Sequence, residues 1–153
     1  MLFGTLIVAL SVYQATAVPA ENKQVEYRHS QQVQGQMQEV RNAIVRSAAT
    51  GTTQPASVSL GTQYPERVLF VNPPPPSGTL RTAGTETASV NVTIENASSP
   101  TGEVSDYWNG SDRTFGTGAL VYAPDYTVYG QAPKTVLEHG VVYNAFERGQ
   151  TLP

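Results

Sequence analysis

Few side chains in this chain could do chemistry, and their spacing decides how much. The acidic stretch Glu103–Asp112 (EVSDYWNGSD) gathers Asp106, Asn109 and Asp112, oxygen donors of the kind Ca²⁺ takes, with Gly110 able to turn the chain. An EF-hand loop needs oxygen ligands at positions 1, 3 and 5, Gly at 6 and Glu at 12. This stretch does not follow that pattern, and a solvated turn with Trp108 laid on a sheet is the preferred reading. His139 follows Glu138, but neighbours along a strand point to opposite faces and cannot orient one another as a catalytic pair. No G-x-S-x-G elbow accompanies them. His29 lies between Arg28 and Ser30 with Val33, not a second ligand, four residues on, and reads as a surface histidine. Gly116-Thr117-Gly118 lacks the Gly-Lys of a phosphate loop. Two distant acids could still converge for glycoside hydrolysis. An enzyme reading would rest on His139 or Glu103 and has no substrate to name, so the expectation is no catalytic residue, no metal and no cofactor.

Composition narrows the classes further. The chain has 153 residues, no cysteine, 14% charged residues and a net charge of −3. Without cysteine there is no disulfide staple, thiolate nucleophile, Cys-ligated zinc or lipidated cysteine anchor. No basic patch suggests nucleic acid. Seven Arg stand against two Lys, Lys23 and Lys134, a lysine-poor balance that salt-adapted surfaces share with ordinary drift.

The residues above need a scaffold, and its dominant piece is the first 48 residues. Met1–Ala20 carries no Asp, Glu, Lys, Arg or His. At ~1.5 Å per helical residue, such a length just covers a hydrocarbon core of roughly 30 Å. Three readings compete. The segment is a membrane helix ending at Pro19, where an X–Pro step breaks or kinks helices. Alternatively it is a secretory signal with an Ala15-Thr16-Ala17 cleavage match but no positive n-region. A buried core helix is the third. The membrane helix is preferred. Lys23 and Arg28 follow the segment and no basic residue precedes it, which by the positive-inside rule would put the domain in the cytoplasm. An upstream flank missing from the sequence would remove that objection, and the chain also stops at Gln150–Pro153 without an evident closing element.

From Glu21 to Ala48 the sequence is Gln-rich and charged, with apolar Val33, Met37, Val40 and Ile44 on one helical face. Gly35 is an internal breaker and Gly51 a candidate left-handed cap. The stripe is expected to cover the protein's own sheet, with packing against sister helices as the alternative.

From Thr52 onward, short alternating runs separated by Gly, Pro, Ser and Thr predict an all-β domain. Expected strands are Ala56–Leu60, Arg67–Val71 as the central strand, Ser89–Glu95, Thr114–Tyr122 and Thr135–Tyr143, the last interrupted by Gly140. Pro73–Pro76 predicts a stiff polyproline spacer, a rigid loop rather than a ligand for a proline-binding groove. Tyr122, Tyr126, Tyr129 and Tyr143 suit half-buried sheet positions, and a carbohydrate-stacking platform would use the same residues. Glycosylation sequons begin at Asn91, Asn96 and Asn109, and their clustering favours an exterior location.

An apolar helix continuing into an amphipathic one and then a β domain resembles the type IV pilins and pilin-like proteins. More closely, Val18–Asn22, Val33-Gln34, Arg41–Val45, Phe70–Ser77 and Asp106–Ser111 resemble a group of uncharacterised haloarchaeal surface proteins with pilin-like N-termini. The resemblance implies membrane insertion, then assembly or display with the β domain outside. The chain departs from the pilin pattern in lacking a basic prepilin cleavage signal and an acidic residue near the start of the apolar helix.

The sequence therefore predicts an α+β protein with a long N-terminal helix, membrane-spanning then amphipathic, before a mainly antiparallel β domain, pilin-like or sandwich-like. Its expected parts are an anchor over 1–20, a stalk over 21–50 and an extracellular β-rich domain over 52–153, incomplete at its C-terminus. Expected partners are the bilayer, through residues 1–20, and other surface proteins or sister chains through the helix. The alternative is a secreted binding module released after Ala17.

Overall fold

The computed structural model describes residues 2–84, 91–100, 102 and 104–153. Among these residues one helix, α1 (Leu2–Thr50), is followed by seven strands: β1 (Ser77–Ala83), β2 (Asn91–Ile94), β3 (Arg113–Gly116), β4 (Ala119–Asp125), β5 (Lys134–Glu138), β6 (Val141–Phe146) and β7 (Gly149–Thr151). The α+β architecture is the one the sequence predicts. All strand pairs are antiparallel. One sheet has the order β1-β4-β5-β6-β7 and the second is the β2-β3 ribbon.

The helix does not end at Pro19, which lies inside it. A proline within a helix removes one backbone bond and costs about 3 kcal/mol. The turns that follow outweigh this, because Val18, Asn22 and Glu26 are all buried against the rest of the protein. The helix closes where expected, with Gly51 at φ 67° and its N–H on the Ser47 carbonyl at 2.9 Å.

Packing of α1 on β5 and β6 forms the main core. Val33 and Met37 meet Tyr122, Leu137 and Val142, with Val40, Val58 and Leu120 around them. Each such side chain contributes about 1.5–3 kcal/mol by leaving water. Period-2 alternation turns Val121, Val136 and Tyr143 to the opposite face, where they cluster with Ala119 and are also buried. The stripe thus covers the protein's own sheet over Val33, Met37 and Val40. Ile44 departs from it and is 56% exposed, because the buried line continues through Ala43 instead.

Several expected strands are corrected. Ala56–Leu60 and Arg67–Val71 form no strand. The latter, expected at the sheet centre, leaves Val68 wholly exposed. Proline explains the failure: Pro65 and Pro73–Pro76 flank the run, and a proline nitrogen cannot donate to a ladder. Thr114–Tyr122 divides at Thr117-Gly118 into β3 and β4, which belong to different sheets. Thr135–Tyr143 is a hairpin, not one interrupted strand, since His139 and Gly140 both take positive φ, 48° and 74°. Of Ser89–Glu95, Asn91–Ile94 is strand, while Ser89 and Val90 lie outside the described residues. The C-terminal stretch closes the sheet edge as β7.

Candidate functional site

The first turns of α1 expose their apolar side chains. Leu6, Ile7, Val8 and Val12 are each more than half exposed, and Phe3 is 78% exposed. Among the described residues one helix, Phe3–Thr50, is long and apolar enough to cross a membrane. Its length and composition suit an anchor and a secretory signal alike.

Below that segment a polar latch holds the loop 65–72 to the helix. Arg67 forms an ion pair with Glu21 at 2.7 Å and donates to Asn22 Oδ1 at 3.1 Å and to Asn72 Oδ1. Asn72 Nδ2 donates to the Pro65 carbonyl at 2.8 Å, closing the loop on itself. The Arg67 guanidinium, and then the Tyr13 hydroxyl, hold the Glu21 carboxyl below its ordinary value. Further toward the N-terminus, Gln14 donates to the Val71 carbonyl at 3.1 Å, and the Tyr13 and Phe70 rings lie 5.0 Å apart.

One turn past the latch begins a buried polar seam that sequence reading missed. Glu26 is fully buried, and its carboxylate accepts from three successive backbone N–H groups, those of Thr127, Val128 and Tyr129. The Tyr64 hydroxyl donates to the same carboxylate. Consecutive N–H groups form a nest for an anion, and here the anion is the protein's own side chain. With its oxygens so engaged, Glu26 ties the β4–β5 loop to the helix and is unsuited to act as a free general base.

His29 belongs to the same seam. It is 4% exposed, which corrects its reading as a surface histidine. Its Nδ1 lies 2.7 Å from the Tyr126 hydroxyl, while Nε2 makes no hydrogen bond of good geometry. Burial lowers the imidazole pKa, and the backbone of Ser59 and Gly61 opposes the shift. Burial also pushes the Tyr64 hydroxyl up to about 12, reinforced by Glu26, and raises Tyr126 and Tyr122. The Tyr122 hydroxyl has no partner of good geometry, although Tyr126 moderates its shift. The signal that could have found this seam is spacing: Val18, Asn22, Glu26, His29, Val33 and Met37 step by three or four along one helical face.

The other candidate residues are scattered. Asn91, Asn96 and Asn109 are all exposed, Asn96 with φ 51°. Asp112 Oδ1 accepts from the Asn96 N–H at 3.3 Å and Asn109 Oδ1 from the Ser111 N–H at 3.1 Å, while Asp106 faces solvent. Glu103 lies outside the described residues. Among the described residues no three acidic or histidine side chains gather as a metal site. Trp108 lies against Tyr107 and Phe115, and Arg113 stacks 3.8 Å from the Tyr107 ring centre. Glu138 is buried and accepts from Tyr143 and Thr117 at 2.8 and 3.1 Å, whereas His139 projects from the exposed hairpin turn. Turn geometry, not strand alternation, separates that pair. Tyr122 and Tyr143 occupy strands, while Tyr126 and Tyr129 lie in the β4–β5 loop beside α1.

A protein of Archaeoglobus fulgidus described as "Uncharacterized protein" is similar to this chain, 30% identical over 145 residues that take in 93% of this chain and 23% of that protein. The chain thus spans about a quarter of the length of the relative it matches. No family model matches the chain, and no solved structure matches it.

Proposed function

We propose that the chain is a membrane-anchored surface protein of pilin-like architecture, with a structural, adhesive or assembly role and no catalysis. The anchor spans the cell membrane once through residues 1–20 and carries the β domain outside the cell. The observation that carries this reading is the division of one helix. Its first part exposes Phe3, Leu6, Ile7, Val8 and Val12 around its circumference, and its second part is embedded in the sheet through Val33 and Met37. Exposing that much apolar surface to water is unfavourable by about 25 cal/mol per Å², and lipid removes the penalty. Three exposed sequon asparagines support an exterior domain, and the Archaeoglobus fulgidus relative agrees with an archaeal source. The test is fractionation of the native protein. It should remain with membranes or sheared filaments, resist carbonate extraction and enter detergent; recovery in the soluble fraction would refute the anchor.

A second reading draws on a specific observation: the buried face of α1 begins at Val18, directly after the Ala15-Thr16-Ala17 match. Cleavage after Ala17 would remove no residue of the buried core and release a secreted module. It would also remove the Tyr13–Phe70 and Gln14–Val71 contacts. N-terminal sequencing that begins at Val18 would establish this reading and displace the first.

A further inference from the structure

We infer that the loop Arg67–Asn72 is a second membrane-contacting element, a short apolar finger lying at the acyl–headgroup boundary beside the anchor. The inference deepens the anchor reading and rests on it.

Its first support is the loop's surface. Val68 is 100% exposed, Leu69 75% and Val71 81%, three adjacent apolar side chains that the fold does not use. Isolated exposed apolar residues are ordinary, but a contiguous patch on a stiff loop marks a contact surface. Pro65 and Pro73–Pro76 flank it and limit its freedom to fold away.

The second support is where the loop stands along the helix. Its polar ends, Arg67 and Asn72, bind Glu21 and Asn22, the first polar residues after the apolar segment. Its apolar tip reaches back to Tyr13 and Gln14. Gln14 precedes Glu21 by two helical turns, about 10 Å at 1.5 Å per residue. Phe70 and Val71 therefore meet the helix on the apolar side of Glu21, within the last two turns of the anchor segment. Interfacial elements bury their apolar faces roughly 5–10 Å into the headgroup and acyl boundary. Phe70 and Val71 touch the helix at that level, Val68 and Leu69 continue the exposed apolar run, and Arg67 and Asn72 bind Glu21 and Asn22 on the polar side.

Backbone chemistry sets the limit of insertion. Irregular backbone does not survive in the hydrocarbon centre, where its polar groups lack partners. Here the Val71 carbonyl is capped by Gln14, and the loop is short enough to stay in the boundary region. The committed occupant is lipid, since the patch is continuous with the exposed face of the anchor helix.

The absence of cysteine allows a direct test on the full chain. Leu6→Cys, Leu69→Cys and Ala49→Cys are each labelled with an environment-sensitive fluorophore and reconstituted into phosphatidylcholine–phosphatidylglycerol vesicles. Nitroxide lipids then quench at shallow or deep positions. All three sites are exposed, so the fold is not at risk, and Ala49 sits at the far end of the helix. The expected result is loss of Leu69 fluorescence with shallow nitroxides and a blue-shifted emission, quenching at Leu6, and none at Ala49. Quenching at Leu6 with a water-exposed Leu69 would overturn the finger and leave the anchor standing. Absence of quenching at Leu6 would overturn both. Shielding of Leu69 that disappears when protein is diluted in lipid would assign the patch to a second copy of the chain, and would overturn the lipid assignment.

Discussion

Tyr64 and Glu26 meet by one hydrogen bond from the phenol to the buried carboxylate, and that bond joins the segment after the helix to the helix itself. The same carboxylate takes the N–H groups of Thr127, Val128 and Tyr129, so one side chain fixes two separate loops. Removing it leaves several donors buried without partners, each costing about 1–3 kcal/mol. Glu26→Ala is expected to lower stability by about 3–5 kcal/mol, the combined cost of the donors it leaves unpaired. Tyr64→Phe, which removes one donor of several, should cost about 1–2 kcal/mol. Denaturant titration of the full chain in detergent checks both values. Equal losses in the two variants would show that the carboxylate does not hold the loop.

The seam should also set the pH range of stability, with a loss at each end. At the alkaline end, an unfolded tyrosine ionises near 10.0 and folded Tyr64 near 12. The folded state therefore holds its proton longer, and its advantage is complete below pH 10 and lost as pH climbs toward 12. Tyr122 and Tyr126 are raised as well and act in the same direction. At the acid end, His29 is held neutral below its ordinary 6.5, so its contribution is complete above 6.5 and fades as pH falls toward the lower folded value. Melting temperatures from pH 4 to 12 should form a plateau, and His29→Gln should flatten only the acid shoulder. An unchanged acid shoulder in that variant would remove His29 as its source.

Tyr122 packs where a side chain is missing on the neighbouring strand. A Cβ added at Gly78 would stand 2.5 Å from Tyr122 Cζ and 2.7 Å from Cε2. Tyr122 is 1% exposed and cannot move outward without opening the core around Met37 and Leu137. Gly78→Ala should therefore cost about 1–3 kcal/mol, the range for overpacking. In a Tyr122→Leu background the added methyl has room, and its penalty should shrink. A double-mutant cycle measures the difference, and additive losses would contradict the close approach.

How far the sequence predicts this molecule follows from which signals are local. The long helix, its Gly51 cap and the Val33/Met37/Val40 stripe are legible because helix period and capping depend on near neighbours. The β-rich remainder is legible as a class, through alternation and turn residues. Arg67–Val71 misleads, since its composition is that of a buried strand while flanking prolines and the Arg67–Glu21 latch keep it out of the sheet. His29 and Glu26 mislead for another reason. A polar residue on a helix reads as solvated, and only distant partners such as Tyr126 and the Thr127–Tyr129 amides, about a hundred residues on, make burial favourable.

The β5–β6 hairpin offers the sharpest local test. His139 and Gly140 both adopt positive φ, as a two-residue type I′ turn requires. Glycine enters that region freely and asparagine more routinely than histidine, because its short side chain hydrogen-bonds locally. His139→Asn should then stabilise the protein by a few tenths of a kcal/mol, and Gly140→Ala should cost about 1–2 kcal/mol, the penalty for a left-handed alanine. The turn is also read by the helix, because Arg41 Nε donates to the Gly140 carbonyl at 2.6 Å. That bond fixes the hairpin's distance from α1, so Arg41→Ala should lower amide-exchange protection in Leu137–Val142 more than it lowers global stability. Thermal melts and hydrogen exchange on the detergent-solubilised chain distinguish the two effects. A stabilising Gly140→Ala would show that the turn is not of this type.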